Sequence, residues 1–189
     1  DRNANNPVLW FGESQMSGNK ILLLSDLETK KLDSIKITGN VFIIEKDTLS
    51  EEGYQQIKGG LLDGSFKEGK LDNIVITKNT EMVYYLYNDE DLQLIGIDKT
   101  TCSALQMNFV DGKIDDITFL VSPVGDVYPE EEIPLNDRTL KGFIWRIKER
   151  PETVEDLFDE NDKEEQFPEI LKFKFPLAPE EKEIEKIPQ

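Results

Sequence analysis

The sequence predicts an all-β chain, antiparallel and built from repeats, with about eight to ten strands over residues 7–150. Three observations predict it. One seven-residue phrase is written three times: Lys31-Leu32-Asp33-Ser34-Ile35-Lys36-Ile37, Lys70-Leu71-Asp72-Asn73-Ile74-Val75-Ile76 and Lys113-Ile114-Asp115-Asp116-Ile117-Thr118-Phe119. The copies start 39 and 43 residues apart, a period that marks chains stacking similar modules. The segments around them are rich in isoleucine, valine, phenylalanine and tyrosine, and none before residue 150 repeats its apolar residues at helical spacing.

The elements follow in order within units of about 17–56, 57–99 and 100–150. Each unit opens on a small or polar stretch and enters a strand: Ile21 to Leu24, Leu61 to Phe66, and Ala104 to Val110. A polar turn comes next: Glu28-Thr29-Lys30, Lys67-Glu68-Gly69 and Asp111-Gly112. The Asp-Gly pair is among the strongest short hairpin signals. The phrase then begins the return strand, its apolar residues alternating onto one face. A further extended segment closes each unit: Val41 to Glu45, Glu81 to Tyr87, and Gly125 to Tyr128. Val41-Phe42-Ile43-Ile44 and Met82-Val83-Tyr84-Tyr85-Leu86-Tyr87 are apolar on both faces. Either such strands are covered on both sides, or one face takes up something the chain does not encode. Leu140-Lys141-Gly142-Phe143-Ile144-Trp145-Arg146 reads as a cap over the open end of the stack.

From Glu152 to Gln189 there are 13 acidic and 5 basic residues. That composition favours a flexible acidic tail over 151–189, in which only Ile170 to Phe175 alternates well enough to add as a short edge strand.

Composition narrows the function. The 189 residues carry 39 Asp and Glu against 22 Lys and Arg, a net charge of −17. A phosphate-neutralising footprint is not visible along the sequence, so nucleic acid is not an expected partner. There is no histidine, which removes the commonest general base and metal ligand. Cys102 reads as a small buried strand residue. No run approaches the length of a membrane-spanning helix. No signal peptide opens the chain, and Asp1-Arg2-Asn3-Ala4-Asn5-Asn6 reads as the trimmed edge of a longer precursor.

Three constellations invite chemistry. Asp33, Asp72 and Asp115 recur at one phase and could form a calcium ladder or a glycosidase-like acid and base. Turn residues accepting from nearby backbone N–H groups explain them better. The acidic runs Asn88 to Asp91 and Asp159 to Asp162 lack the spacing of a calcium loop. Tyr84, Tyr85 and Tyr87 could stack on sugars, but serve more simply as core and rim. No catalytic residue, metal ligand or cofactor is expected, and the reading is of a protein that is not an enzyme.

The run Asn6-Pro7-Val8-Leu9-Trp10-Phe11, then Ser14-Gln15-Met16-Ser17-Gly18, then the repeated phrase resembles the OstA-like (LptA/OstA) lipopolysaccharide-transport family, in its Bacteroidetes-type branch. Gln56-Ile57-Lys58-Gly59, Gly96-Ile97-Asp98-Lys99, Tyr128-Pro129 and Leu140 to Arg146 carry the same resemblance, which covers residues 6 to 151. It implies a taco-like β-jellyroll with an incompletely closed, greasy channel, sited in the periplasm or on the periplasmic face of the outer membrane. It implies lipopolysaccharide or lipooligosaccharide as ligand, held by its acyl chains. It also implies other jellyroll modules, or the outer-membrane translocon, as partners through edge-strand pairing. Taken with the period-two pattern, it nominates Ile35, Ile37, Ile43, Ile74, Ile76, Tyr84, Ile117 and Phe119 as inward-facing, lipid-binding residues. The alternative is a structural or assembly domain of the envelope that binds protein through exposed strand edges. A third reading, a carbohydrate-active β-solenoid, needs two carboxylates in one cleft.

Overall fold

The computed structural model describes residues 6–111 and 113–153. The chain divides into two compact units, residues 1–147 and 148–189. The fold below is that of the first; the tail from residue 154, with the edge strand expected at 170–175, lies outside the described residues.

Nine strands form one antiparallel sheet that does not close into a barrel. They are β1 (Val8–Phe11), β2 (Ser14–Ser17), β3 (Lys20–Ser25), β4 (Leu32–Lys46), β5 (Tyr54–Lys67), β6 (Lys70–Tyr87), β7 (Leu94–Val110), β8 (Lys113–Val121) and β9 (Val124–Tyr128). The order is β1-β2-β4-β5-β6-β7-β8, with β3 also paired to β4 and β9 also paired to β7. Two segments expected as separate closing strands, 41–45 and 81–87, are instead the second halves of β4 and β6. The unit boundaries drawn at residues 57 and 100 fall inside β5 and β7.

The long strands bend together because their bulges line up. Two residues of β4, Gly39 and Asn40, stand against the single Gly60 of β5, and Lys78 and Asn79 of β6 against Ser103 of β7. Gly39, Asn40, Lys78 and Asn79 all have positive φ, between 50° and 71°. In the third position Ser122, at φ 47°, and Pro123 separate β8 from β9 outright. An extra residue raises local twist and bends the strand. Repeated across neighbouring strands, it makes a crease. On one side, the phrase side, lie residues 20–25, 32–38, 61–67, 70–77, 104–110 and 113–121. On the other, called the strap side after residues 129–146, the strap that packs on it, lie 8–17, 41–46, 54–59, 80–87, 94–102 and 124–128.

A second row of bulges explains the aspartates. Leu24 and Ser25 pair with Ser34 and Leu32, Ser65 and Phe66 with Asn73 and Leu71, and Asn108 and Phe109 with Asp116 and Ile114. The residue skipped each time is Asp33, Asp72 or Asp115. Each is therefore the extra residue of a bulge and is exposed, not the turn acceptor that the sequence suggested. The skip turns Leu71 and Ile74, three apart, toward the same core, where strict alternation would have aimed Asp72 inward. Acceptance from turn N–H groups falls instead to Asp26, whose carboxylate takes the amides of Glu28 and Thr29 and the Thr29 hydroxyl. Those bonds hold its pKa below the ordinary carboxylate value, the Thr29 amide contributing most.

The hairpins follow their local chemistry. Lys67 pairs with Lys70 across Glu68 (φ 52°) and Gly69 (φ 79°), the two-residue turn whose twist matches that of the strands. Val110 pairs with Lys113 across the Asp-Gly step, as that dipeptide predicts.

The inner face is one apolar cluster to which both sides of the crease contribute. Across the phrase side, Ile35, Gly64, Ile74, Met107 and Ile117 lie in one register row, and Ile37, Leu62, Ile76, Leu105 and Phe119 in the next. Met16, Ile43, Ile57 and Met82 continue it on the strap side. Gly64 is glycine for close approach: a Cβ there would stand 2.8 Å from Ile35 Cγ2. Phe11 of β1 meets Phe66 of β5 edge to face at 6.1 Å, joining the two sides directly.

The outer face of the strap side is apolar too: Phe42, Ile44, Val83, Tyr85 and Ile97 are buried there. Residues 129–146 cover it, inserting Ile133, Leu140, Phe143 and Trp145. The outer face of the two-faced segments is therefore covered by the chain itself, while on the inner face Ile43 and Tyr84 reach the end of the inner cluster. The cover also corrects the expected cap, since Leu140 to Arg146 lie across a sheet face. Two buried glutamines hold the strap by its backbone. Gln56 donates to Arg138 O (2.8 Å) and accepts from Leu140 N (2.9 Å); Gln15 donates to Ile144 O (2.9 Å) and accepts from Arg146 N (2.7 Å). Trp145 stands edge-on to Trp10 at 5.2 Å, and Phe143 to Tyr54 at 5.0 Å.

Candidate functional site

The inner cluster opens at one end. A cavity of about 610 Å³ lies there, walled from the strap side by Phe11, Met16, Ile43, Ile57 and Tyr84 and from the phrase side by Met107, Phe109 and Ile114. Its volume falls within the range of small-molecule pockets, and its apolar walls are interrupted by the polar side chains of Ser14, Thr48 and Gln55. Glu13, Glu45 and Asp111 stand at its edge, Asp111 paired with Lys70 at 3.1 Å. The Ser14 hydroxyl donates to Glu45. Burial, with Glu45 and Asp47 nearby, pushes the Tyr84 phenol above its ordinary pKa, so it stays a neutral donor.

One wall is braced by Asp47, itself buried. Its carboxylate accepts from Leu49 N and Ser50 N (2.7 and 2.8 Å), from the Gln55 amide (2.8 Å) and from the Tyr87 hydroxyl (3.0 Å). Four donors compensate one buried charge. They fix the connection between β4 and β5 beside the cavity. Burial and the bond to Asp47 push the Tyr87 phenol far up.

All eight residues nominated from the sequence belong to the inner cluster, but only two touch the cavity. Ile43 and Tyr84 line it. Ile35, Ile37, Ile74 and Ile76 are packed solid in the middle of the cluster, at 0–2% exposure, while Ile117 and Phe119 lean on its flank from β8. Phe11, Met16, Ile57, Met107, Phe109 and Ile114 were missed. A signal existed for Ile114, which holds the same phrase position as Leu71.

The competing constellations do not assemble. Tyr84 faces the inner cluster while Tyr85 and Tyr87 face the strap, so the three form no platform. Asp72 on β6 and Asp115 on β8 are exposed residues two strand spacings apart, about 10 Å. Among the described residues no group of three or more Cys, Asp or Glu could hold a metal. Asn88 accepts from Glu90 N and closes the β6–β7 turn; Asp159 to Asp162 lie outside the described residues. Cys102 is buried in β7, where burial pushes its thiol pKa up.

Comparison with known proteins returned no match to any family model, curated protein or solved structure.

Proposed function

We propose that this protein is a non-enzymatic lipid-binding module that shelters the acyl chains of lipopolysaccharide or lipooligosaccharide on their way to the outer membrane. One observation carries the reading: the cavity shares Met16, Ile43, Ile57 and Met107 with an apolar core that extends across the sheet. Each methylene taken from water into such a site contributes about 0.8 kcal/mol. In this reading the creased sheet is the taco-like, repeat-built jellyroll that the resemblance implies, and the protein works in the periplasm. Its edge strands β1, β3, β8 and β9 pair with other jellyroll modules or with the translocon, and nucleic acid is not a partner. Photo-crosslinking residues at Phe109 and Tyr84 should capture lipopolysaccharide. Capture only at outward positions such as Lys36 and Asp63 would overturn the proposal.

A specific observation favours a second reading, a structural or assembly domain. The middle of the inner cluster is packed dry: Ile37, Leu62, Ile74, Ile76 and Leu105 have no exposed surface. Meanwhile β3 presents Leu22 and Leu24, 42% and 50% exposed, on a sheet edge. Such an edge invites strand addition by another chain. Charge placed on the outward face of β3, as Leu22→Lys, would abolish partner pull-down in this reading and leave lipid capture intact.

A further inference from the structure

A second concave site lies on the outer side of the crease, away from the cavity. It measures about 260 Å³, and its walls include Lys58 of β5, Lys78 of β6 and Lys141 of the strap. Glu81 is the one acidic residue of its lining, and it pairs with Lys58 at 2.8 Å. The lining therefore carries a net charge of about +2, within a chain of net −17.

The backbone presents these groups at a conformational cost. Lys78 and Asn79 hold φ values of 70° and 56°, the left-handed region that side chains other than glycine seldom adopt. At the matching bulge of β4 the same position is Gly39. Lys78 is one of eight non-glycine residues with positive φ among the described residues, and the bulge turns its side chain onto the outer surface beside Gly60. The floor is shaped to suit it. Gly60 lies under the Lys78 stem, and a Cβ there would stand 2.8 Å from Lys78 Cβ. Asn40, which donates to Asn19 at 2.9 Å, and Asn79 complete the wall. Three lysines from three separate elements thus line one concave site, Lys58 in a pair with Glu81 and Lys78 and Lys141 exposed to solvent.

We propose that this pocket binds a phosphate group as its dianion, with Lys58, Lys78 and Lys141 as the cationic donors. Lysines suit this task as compact point charges on flexible stems, free to arrange three donors each around a tetrahedral anion. A net charge of two matches a phosphate monoester better than a carboxylate or a diester. Because Lys141 belongs to the strap and the other two to the sheet, the bound anion also ties the strap to the crease.

Two sources share this chemistry, free phosphate and a lipid headgroup, and the test separates them. The protein is titrated with inorganic phosphate at fixed ionic strength, and with vesicles of phosphatidic acid in phosphatidylcholine. The amide resonances of Gly60 and Asn79 are followed in the first arm and co-sedimentation in the second. The expected result is a saturable shift with phosphate, retention on the vesicles, or both. Lys78→Gly and Lys141→Gln should each weaken the response roughly tenfold or more. Lys78→Gly keeps the left-handed backbone at no steric cost, so it should stay folded. Response to phosphate alone identifies the free ion, and response to vesicles alone identifies a headgroup. No response in either arm, or an undiminished response in Lys78→Gly, overturns the proposal.

Discussion

The two sides of the crease share an inner face and differ in the outer one. Inside, both offer isoleucine, leucine and methionine at period two, and one cluster forms across the fold. Outside, the strap side buries Phe42, Ile44, Val83, Tyr85 and Ile97 under residues 129–146. The phrase side instead shows solvent a polar register row: Ser34, Ser65, Asn73, Asn108 and Asp116. There Asn73 donates to Asn108 at 2.6 Å, and Asn108 to Asp116 at 2.9 Å. A sheet can thus be half-wet and half-dry along the same strands, with a bulge marking the change. The lesson concerns reading apolar runs: Val41 to Ile44 is two-faced because its second cover lies about a hundred residues later in the same chain.

The sharpest break in this comparison comes from unfastening the strap. Replacing Gln15 and Gln56 together by alanine removes a donor and an acceptor at each of two clamps. At about 2 kcal/mol for each clamp and independent sites, the loss is about 4 kcal/mol in urea unfolding. Faster hydrogen exchange at Leu140 and Arg146 should accompany it. A double change on the phrase side, Ser65→Ala with Asn73→Ala, should cost less than about 1 kcal/mol, since water replaces the Asn73–Asn108 bond.

A matched pair of identical substitutions sharpens the contrast further. Val83→Ala deletes two methyl groups from a fully buried outer position of the strap side and should cost about 2 kcal/mol. Val75→Ala deletes the same atoms from the open outer face and should stay within about 0.5 kcal/mol. Equal costs would mean that the strap does not exclude water.

Alkaline pH provides a third, smaller contrast. Burial is the first cause raising the phenol pKa of Tyr84, Tyr85 and Tyr87. The folded chain therefore keeps protons that the unfolded chain releases near pH 10. Stability from these groups is fully present below about pH 10 and falls as pH rises above it, because the folded state then binds more protons. The slope of melting temperature against pH above 10 should shrink in Tyr87→Phe and Tyr85→Phe, on the strap side's outer face. Asp72→Ala, at an exposed bulge, should change stability by no more than about 0.5 kcal/mol.

Much of this was legible in the sequence because period-two patterning records a buried face directly. Ile35, Ile37, Ile74 and Ile76 could be assigned to one face from their spacing alone. The aspartates were misread as turn acceptors because a bulge leaves no local signature beyond a polar residue where alternation calls for an apolar one. The cavity lining was only half legible. Phe11, Met16 and Phe109 come from three strands, and their meeting depends on how sharply the sheet creases. The lysine pocket was invisible for the same reason: Lys58, Lys78 and Lys141 are far apart in a chain whose net charge argues against any anion site. The roles of Gln15 and Gln56 depend on a strap that packs back over strands distant in sequence.

The three methionines allow the most direct test that the cavity takes up acyl chains. Met16 and Met107 line it, while Met82 is buried in the same cluster without lining it. The protein, labelled with 13C at its methionine methyls, would be titrated with lipopolysaccharide carrying a spin label on an acyl chain. The account predicts strong broadening of the Met16 and Met107 resonances with Met82 affected less. Unchanged Met16 and Met107 resonances at saturating lipid would contradict it.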